Sequence, residues 1–340
     1  MKRLILNEPG DLVLTHADSD ESLESNQVLL KVRRIGVCGT DIHAYAGNQP
    51  FFSYPRVLGH ELGLEVLKIG DSVTKVKSGD RCSLEPYFNT KAGQAVRLGK
   101  PNCGEHISVF GVHADGGMQE YVKVHENYLH TSERLSFEQL ALVETLAIGF
   151  HAVERAETKA QDKVLVIGAG PIGLATMQFT KVLGARTVVM DVNRKRLDFS
   201  MERMGVDGTI DVATEDPVAR LKEYFEGDLP TIVFDATGNP KSMMSAFEYP
   251  SHGGKLVFIG LFQGEVTFHD PTFHRKELTL YASRNAMSAD FDAIIRLIEE
   301  GKIDTMPWIT HTANFDQVPE VFESWTRPET GVIKAMIKLD

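Results

Sequence analysis

A glycine-rich turn near the middle of the chain constrains the fold more than any other feature of the sequence. The apolar run KVLVI leads directly into the turn GAGPIG, and an amphipathic segment follows it. Glycines in this pattern permit a tight turn, a close approach of the backbone to a pyrophosphate, and close packing of helix against strand. The pattern therefore predicts a strand, a turn and a helix whose N-terminus offers free N–H groups to phosphates. The candidate cofactor-binding residues of the turn are Gly168, Gly170, Pro171, Ile172 and Gly173.

The next apolar strand ends in an acidic residue that indicates which dinucleotide is bound. Asp191 follows Gly173 by eighteen residues, where a carboxylate accepts hydrogen bonds from the ribose hydroxyls of adenosine and repels a 2′-phosphate. This position favours NAD over NADP, although Arg194 and Arg196 lie close enough in the sequence to bind a phosphate instead. Two other interpretations of an isolated glycine turn are a packing turn and a methyltransferase loop that binds S-adenosylmethionine.

The sequence divides into regions of two kinds. Residues 28–130 consist of short runs with little helical periodicity, which is typical of β-strands joined by glycine-rich turns. Residues 136–304 alternate between apolar strands and amphipathic helices, which predicts a parallel sheet with crossover helices. The C-terminal residues return to short strands, and we expect them to fold back onto the first region. The predicted fold class is α/β, with a doubly wound parallel-sheet domain at 141–285 and a β-rich domain formed by 1–140 with 286–340.

Composition limits the classes of partner and compartment. Acidic residues outnumber basic ones by 47 to 36, giving a net charge of -11, which argues against a nucleic-acid partner because phosphate backbones are bound by Lys and Arg. No run approaches the roughly 18 consecutive apolar residues of a membrane span, and the N-terminal sequence lacks the apolar core of a secretory signal. The three separated cysteines favour a reducing compartment over a disulfide framework. We therefore expect a cytoplasmic protein without nucleic-acid or membrane partners.

Four residues upstream of the glycine turn have the side chains that bind zinc. Cys38 lies in GVCGTDIH, His60 and Glu61 lie in LGHE, and Glu144 lies in VET. Each is weak evidence alone, since an isolated Cys is usually a small buried hydrophobe and a His-Glu pair usually serves packing or the surface. Together they supply one thiolate, one imidazole and two carboxylates, which suits a four-coordinate zinc ion with one exchangeable position. Sequence spacing alone does not show that they converge.

These motifs occur together in a known family. The set CGTDIH, LGHE, DGGMQEYV, VET, GAGPIG and Asp191 resembles the zinc-type medium-chain alcohol dehydrogenases, over almost the whole chain. The resemblance implies a GroES-like catalytic domain and a Rossmann NAD-binding domain. It also implies zinc ligation by Cys38, His60 and Glu61, with a fourth position occupied by Glu144 or shared by it with water and substrate. A Lewis acid there lowers the pKa of the substrate hydroxyl. The further cofactor-binding residues that the resemblance implies are Arg196, Thr237, Gly238, Ile259, Leu261, Ser283 and Arg284.

The resemblance also implies roles for three residues that follow Cys38. Thr40 would take the proton of the substrate hydroxyl and pass it through the cofactor ribose to His43, which releases it to solvent. Asp41 would orient His60 through the second ring nitrogen of the imidazole. Without the neighbouring ligands, the same residues would be interpreted as turn caps and a surface histidine.

Weaker similarities indicate the substrate class. The stretches GNQPFFSYPRVLGHE, ISVFGVHADGG, FDATGNP, DPTFHRKE and SRNA resemble the sugar-acid and polyol branch, most closely the 5-dehydrogenases of L-galactonate or L-gulonate. The implied reaction transfers hydride from a secondary alcohol of such a hexonate to NAD. Sorbitol-like polyols and L-threonine are alternatives with the same chemistry, and a catalytically inactive NAD-binding protein is an alternative of another class. The candidate substrate-binding residues are Phe51, His113, Asn285 and Arg284, the last also a candidate for the cofactor phosphate.

The sequence departs from the family in the lobe that commonly holds a second, structural zinc ion. The four cysteine positions of that lobe are occupied by Thr90, Gly93, Val96 and Gly104, and Cys103 alone cannot complete a closed tetrahedral site. We therefore expect one zinc ion per chain, no structural zinc, and a lobe held by packing alone. Strands within 257–281 resemble those that pair between subunits in this family, which implies a homodimer or homotetramer.

Overall fold

The computed structural model of the chain describes residues 1–18, 20–49 and 52–340. They form two units, one composed of Met1–Thr145 with Met287–Asp340 and the other of Leu146–Ala286. The sequence predicted these divisions after residues 140 and 285. The first division falls inside the helix Phe137–Arg155, where a continuous helix contains no turn signal that would mark it.

The first unit is built mainly from short strands. Its elements before the long helix are β1 (Lys2–Glu8), β2 (Asp11–His16), β3 (Gln27–Val37), α1 (Gly39–Tyr45), β4 (Glu61–Ile69), β5 (Arg81–Leu84), β6 (Tyr87–Asn89), α2 (Gln94–Arg97), β7 (Ile107–Val109), β8 (Tyr121–His125) and β9 (Leu129–Thr131). The long helix α3 (Phe137–Arg155) follows. None of the helices that the described residues form has the length and apolar character needed to cross a membrane.

The second unit alternates strands and helices. Its elements are β10 (Lys163–Ile167), α4 (Pro171–Val182), β11 (Arg186–Asp191), α5 (Arg194–Phe199), β12 (Gly208–Asp211), α6 (Pro217–Tyr224), β13 (Ile232–Asp235), α7 (Pro240–Ser245), β14 (Lys255–Phe258), α8 (Asp270–Arg275) and β15 (Thr279–Ala282). The chain then returns to the first unit with α9 (Ser288–Glu299), β16 (Ile309–Asn314), α10 (Val318–Trp325) and β17 (Lys334–Lys338).

The six strands of the second unit form one parallel sheet, as the alternating pattern predicted. Their order is β12-β11-β10-β13-β14-β15, and every neighbouring pair is parallel. Numbered within the unit this is 3-2-1-4-5-6, the order of a Rossmann sheet, in which ligands bind at the carboxyl ends of the central strands. The glycine turn follows β10 at that edge.

The main sheet of the first unit joins residues from both ends of the chain. Its order is β16-β17-β3-β4-β5-β9, and β8 also pairs with β3. The C-terminal strand β17 runs antiparallel to β3, and β4 pairs with the other edge of β3 so that Gly36 lies opposite Glu61. The sheet therefore brings residues near 36, 61 and 334 together, although they are far apart in the sequence.

Hydrogen bonds as well as packing hold the lobe formed by residues 89–105, which corrects the expectation of packing alone. The side chain of Asn89 donates to the carbonyl oxygen of Pro101 at 3.0 Å. The carboxylate of Glu105 accepts from the backbone N–H of Ala95, in the first turn of α2, at 3.1 Å. This contact supplies an acceptor to a helix end whose N–H groups have no partner within the helix.

Polar side chains lie directly against two glycines of this lobe. A Cβ atom added at Gly93 would overlap the Glu105 carboxylate, and one added at Gly104 would overlap the Asn89 side chain. These are two of the four positions that bear the zinc-binding cysteines in the family. The side chains of Glu105 and Asn89, which hydrogen-bond to the backbone, therefore lie where the cysteine ligands of a structural zinc ion would be placed.

We predict that Glu105→Gln loosens the lobe without unfolding the protein. Hydrogen bonds from its own backbone N–H and from that of Ala95 lower the pKa of Glu105, so this stabilisation is present at neutral pH and is lost as the pH falls through the folded-state pKa. At neutral pH the Ala95 amide proton should exchange roughly 3- to 10-fold faster in the variant. Hydrogen exchange followed by mass spectrometry measures this, with Glu8→Gln as the control. Unchanged exchange at Ala95 would contradict the assignment.

Candidate metal and dinucleotide sites

Three of the four predicted zinc ligands converge in the first unit. Cys38 lies between β3 and α1, His60 immediately precedes β4, and Glu61 is the first residue of β4. The thiol sulfur, one imidazole nitrogen and one carboxylate oxygen all lie within 4.8 Å of one another. His60 and Glu61 are buried and Cys38 is half-buried. The pairing of β3 with β4 produces this convergence, because it sets the end of one strand beside the start of the other.

The fourth predicted ligand, Glu144, lies near this cluster but outside it. Its carboxylate is buried at 4% exposure, and it is not among the residues whose donor atoms lie within 4.8 Å of one another. It accepts a hydrogen bond of 2.5 Å from the phenol of Tyr87. Glu144 is therefore held by a protein hydrogen bond beside the three-donor cluster.

A buried lysine from the C-terminal strand binds the Glu61 carboxylate. The Nζ atom of Lys334 lies 2.7 and 2.8 Å from the two carboxylate oxygens and also donates to the carbonyl of Val37 and the hydroxyl of Thr145, each at 3.2 Å. Lys334 and Glu61 are each about 1% exposed. Gly36 is required beside this pair, because a Cβ atom there would overlap the Glu61 carboxylate.

The pKa values of the two buried carboxylates, Glu61 and Glu144, are shifted in opposite directions. Burial by itself raises the pKa of Glu61, but the Lys334 ammonium and a further positive contribution from His60 bring that pKa below its ordinary value. Burial also raises the pKa of Glu144, and there the opposing contributions of His60 and Tyr87 do not reverse it. Carboxylates in one site whose environments separate their pKa values are typical of different chemical roles.

The donor set fits a zinc ion. Thiolate, imidazole and carboxylate are the ligands that zinc takes in proteins, and the buried Nδ1 atom of His60 has no hydrogen-bond partner among the described residues. In their ionised forms Cys38, Glu61 and Glu144 carry three negative charges, whereas Lys334 supplies one positive charge. The acidic groups around these ligands favour a bound cation.

The helix α1 carries the three residues predicted to act beside the ligands. The hydroxyl of Thr40 lies 3.7 Å from the sulfur of Cys38, and His43, one turn later on the same face, is exposed. The predicted hydrogen bond from Asp41 to His60 is absent: the buried carboxylate accepts instead from the backbone N–H groups of Cys38 at 2.9 Å and Gly59 at 3.2 Å. Asp41 thus fixes the backbone beside two ligands, because those N–H groups take its oxygens.

The glycine turn in the second unit has the geometry that its sequence predicted. Gly168 has a φ of 96°, which disfavours residues with a side chain. A Cβ atom at Gly173 would overlap the carbonyl oxygen of Gly168. Gly170 caps α4 and Pro171 is its first residue, followed by Ile172. Asp191 accepts from the backbone N–H of Ala169 at 2.6 Å, so its carboxylate lies directly beside the turn.

The other predicted cofactor residues follow strands of the same sheet at its carboxyl edge. Thr237 and Gly238 come after β13, Ile259 and Leu261 after β14, and Ser283 and Arg284 after β15, while Arg196 lies in α5. The buried hydroxyl of Ser283 has no hydrogen-bond partner among the described residues, and Leu261 is 74% exposed. A ligand at this edge would meet polar backbone, a hydroxyl and an apolar surface.

The predicted substrate residues fall in several places. Phe51 lies outside the described residues. His113 is exposed in the first unit, where its Nδ1 atom accepts the backbone N–H of Val109 at 2.9 Å and closes a turn. In the second unit, Arg284 is exposed and Asn285 is half-buried with a left-handed φ of 54°. His113 thus belongs to the first unit, and Arg284 and Asn285 belong to the second.

Sequence reasoning missed two residues of the metal site. Lys334 looks like a surface lysine in the run GVIKAMIKLD, and only the apolar residues around it indicate a strand buried on both faces. Tyr87, in LEPYFN, carries no signal that separates it from an ordinary core aromatic. Both depend on long-range strand pairing, which local patterns do not contain.

We predict that Lys334→Met strongly destabilises the metal-stripped protein at neutral pH. Removing one partner of a buried ion pair costs about 3–5 kcal/mol. The wild-type pair holds the pKa of Glu61 low, so its contribution is present at neutral pH and is lost as the pH falls through that pKa. In the variant, burial without Lys334 raises the pKa of Glu61. The loss of unfolding free energy relative to the wild type should therefore become smaller at acidic pH, where Glu61 binds a proton.

Denaturant unfolding at about pH 5 and about pH 8 measures this difference. Lys338→Met, the same change on the same strand, is the control. The double variant Glu61→Gln/Lys334→Met should recover part of the lost stability, because it leaves no unpaired charge. The charge-pairing role of Lys334 would be contradicted if the stability loss of Lys334→Met did not depend on pH. It would also be contradicted if the double variant were no more stable than Lys334→Met.

Two family models match the chain, one in each kind of region. The alcohol dehydrogenase GroES-like domain matches residues 24–134, and the zinc-binding dehydrogenase model matches residues 171–300. The first range contains Cys38, His60 and Glu61, and the second begins at the first residue of α4.

Similar proteins extend over the full length. The chain is 40% identical to an L-galactonate-5-dehydrogenase of Escherichia coli, covering 99% of this chain and 98% of that protein. It is 30% identical to a sorbitol dehydrogenase of Ovis aries, covering 99% and 96%. A solved alcohol dehydrogenase from Escherichia coli, complexed with NADH, matches with a TM-score of 0.92 at 27% identity, covering 100% and 99%. The chain therefore belongs to the zinc-type medium-chain alcohol dehydrogenases, and it is an oxidoreductase that acts on alcohol donors.

Proposed function

We propose that this enzyme oxidises a secondary alcohol of a hexonate, such as L-galactonate or L-gulonate, with NAD as the hydride acceptor and one zinc ion per chain. The observation that carries the chemistry is the buried cluster of Cys38, His60 and Glu61. The similarity to an L-galactonate-5-dehydrogenase over nearly the whole chain supports the substrate class.

The residues of the first unit would divide the work of alcohol oxidation. Cys38, His60 and Glu61 would hold zinc, which when bound supplies Lewis acidity that favours loss of the hydroxyl proton. Thr40, beside the Cys38 sulfur, has a hydroxyl that donates and accepts at once and would receive that proton. His43 is exposed one turn along α1 and would pass the proton to solvent.

A single zinc ion per chain is supported by the lobe of residues 89–105. None of the four positions that bear cysteine in the family carries a thiolate here, and the Glu105 and Asn89 side chains lie against Gly93 and Gly104. A structural zinc site requires four ligands in a closed tetrahedron. The proposed metal content is therefore that of the catalytic site alone.

A carboxylate-bearing substrate and a homo-oligomer complete the proposal. Arg284, after β15, has the planar donor pattern that binds a carboxylate in two places. The strand β15 is the last in the order of its sheet, and its Leu280 is 40% exposed. An apolar side chain on an edge strand favours pairing with a second copy, as expected for a dimer or tetramer.

A sorbitol-like polyol is the second candidate substrate, because a sorbitol dehydrogenase is 30% identical over 99% of the chain. The two candidates differ in the carboxylate, which polyols lack. L-threonine and loss of catalysis are further alternatives that the same experiment tests.

The deciding experiment is an oxidation screen with the purified protein, NAD and a panel of hexonates, polyols and L-threonine. We expect NADH formation to be fastest with a hexonate, to stop after chelation, and to return when zinc is added. Elemental analysis should find about one zinc ion per chain. Faster turnover of a polyol or of L-threonine would overturn the proposed substrate class. Two bound zinc ions per chain would overturn the proposed metal content, and turnover that survives chelation would overturn the metal dependence. Absence of turnover with every substrate would favour an inactive NAD-binding protein.

We predict that Asp191→Ser weakens the preference for NAD over NADP. The carboxylate lies beside the turn, and its hydrogen bonds to ribose hydroxyls and repulsion of a 2′-phosphate would both be lost. The ratio of kcat/KM for NAD to that for NADP should fall roughly 10- to 100-fold, the effect of losing a charged hydrogen bond. Asp228→Ser is the control, because Asp228 pairs with Lys163 at the start of β10, away from the carboxyl edge of the sheet. If the ratio of kcat/KM for NAD to that for NADP did not change in Asp191→Ser, Asp191 would not be the residue that selects NAD.

A further inference from the structure

The contact between Tyr87 and Glu144 lies beside the metal-donor cluster, and the chemistry described so far does not use it. Tyr87 is 3% exposed and Glu144 is 4% exposed, and their oxygens are 2.5 Å apart. An ionised carboxylate only accepts hydrogen bonds, so the phenol is the donor.

Strand pairing and ring packing hold Tyr87 in place. It is the first residue of β6 and pairs with Val109 of β7. Its ring meets the ring of Phe291 edge-on, with 6.4 Å between the centroids. Glu144, in contrast, lies on a side chain with three rotatable bonds. The hydrogen bond from the Tyr87 phenol therefore restrains the rotation of the Glu144 side chain.

The Lys334 ammonium, which acts electrostatically on Glu144, is already engaged by other acceptors. The Lys334 ammonium has three donors, and they are directed at Glu61, Val37 and Thr145. A carboxylate released from Tyr87 would lose its buried phenol donor, and a divalent metal held by Cys38 and its neighbours would attract it. The structure thus offers Glu144 two alternative partners.

We infer that Tyr87 is a positioning residue that holds the Glu144 carboxylate outside the metal coordination sphere, so that the fourth coordination position remains open to the substrate hydroxyl. The inference rests on the proposed metal site. Glu144 lies outside the cluster of donor atoms within 4.8 Å of one another, as this role requires. Without the phenol, Glu144 would enter the fourth position and compete with any incoming ligand.

Cobalt(II) and imidazole together test this inference independently of turnover. The metal-stripped enzyme is reloaded with cobalt(II), whose visible spectrum reports the ligands and their number, and imidazole is titrated as a neutral probe of the open position. The variants are Tyr87→Phe, Glu144→Gln and the double variant Tyr87→Phe/Glu144→Gln. The control Tyr128→Phe removes another phenol of the same unit, one that packs on Phe88.

We expect Tyr87→Phe to change the cobalt spectrum and to weaken imidazole binding roughly 10- to 100-fold, the equilibrium effect of one charge-assisted hydrogen bond. The double variant should match Glu144→Gln, because Tyr87 acts only through the carboxylate. Tyr128→Phe should match the wild type.

A wild-type spectrum and imidazole affinity in Tyr87→Phe would overturn the role of Tyr87. So would weakened binding that persists equally in the double variant, because the phenol would then act without Glu144. A wild-type protein that binds no cobalt(II) would overturn the proposed metal site and the inference together, which distinguishes that failure from the first two.

Discussion

The metal site depends on the buried ion pair between Lys334 and Glu61. A thiol and two carboxylates lie close together in a region of low exposure, and their ionised forms would repel one another strongly there. One ammonium, placed on Glu61, offsets that repulsion and leaves the remaining negative charge to a divalent ion. Because burial of an unpaired charge is costly, Lys334 stabilises the arrangement. The strand that carries Lys334 is the last of the chain, so the site is complete only after the C-terminus has joined the sheet.

The candidate metal site and the candidate dinucleotide site are formed by residues of different units. The candidate metal donors, with Tyr87, Thr145 and Lys334, belong to the unit made of Met1–Thr145 and Met287–Asp340. The glycine turn and Asp191 belong to the parallel-sheet unit. Each constellation is thus formed by the strand pairing of a single unit, and the helix α3 continues from Glu144 in one unit to Arg155 in the other.

Sequence predicted the parts of the fold and site that depend on local spacing. The parallel sheet followed from alternating strands and helices, and the turn at 168–173 followed from its glycines, because one close contact excludes a side chain at Gly173. The residues Cys38, His60 and Glu61 were identified by motif, yet their convergence required the pairing of β3 with β4. Lys334 and Tyr87 were missed because their roles arise from neighbours hundreds or tens of residues away. The predicted bond from Asp41 to His60 was wrong because backbone N–H groups competed for the same oxygens.

The lobe of residues 89–105 exchanges one kind of environmental sensitivity for another. A lobe folded around zinc and four thiolates couples its stability to metal supply and to the redox state of the cell. Here a carboxylate and an amide hydrogen-bond to the backbone in the space such ligands would need. Chelators and oxidants have no thiolate cluster to attack at that position, so the lobe can keep its shape while the catalytic site gains or loses its ion. The shape of this lobe then depends in part on the protonation of one exposed carboxylate, Glu105, and not on metal supply.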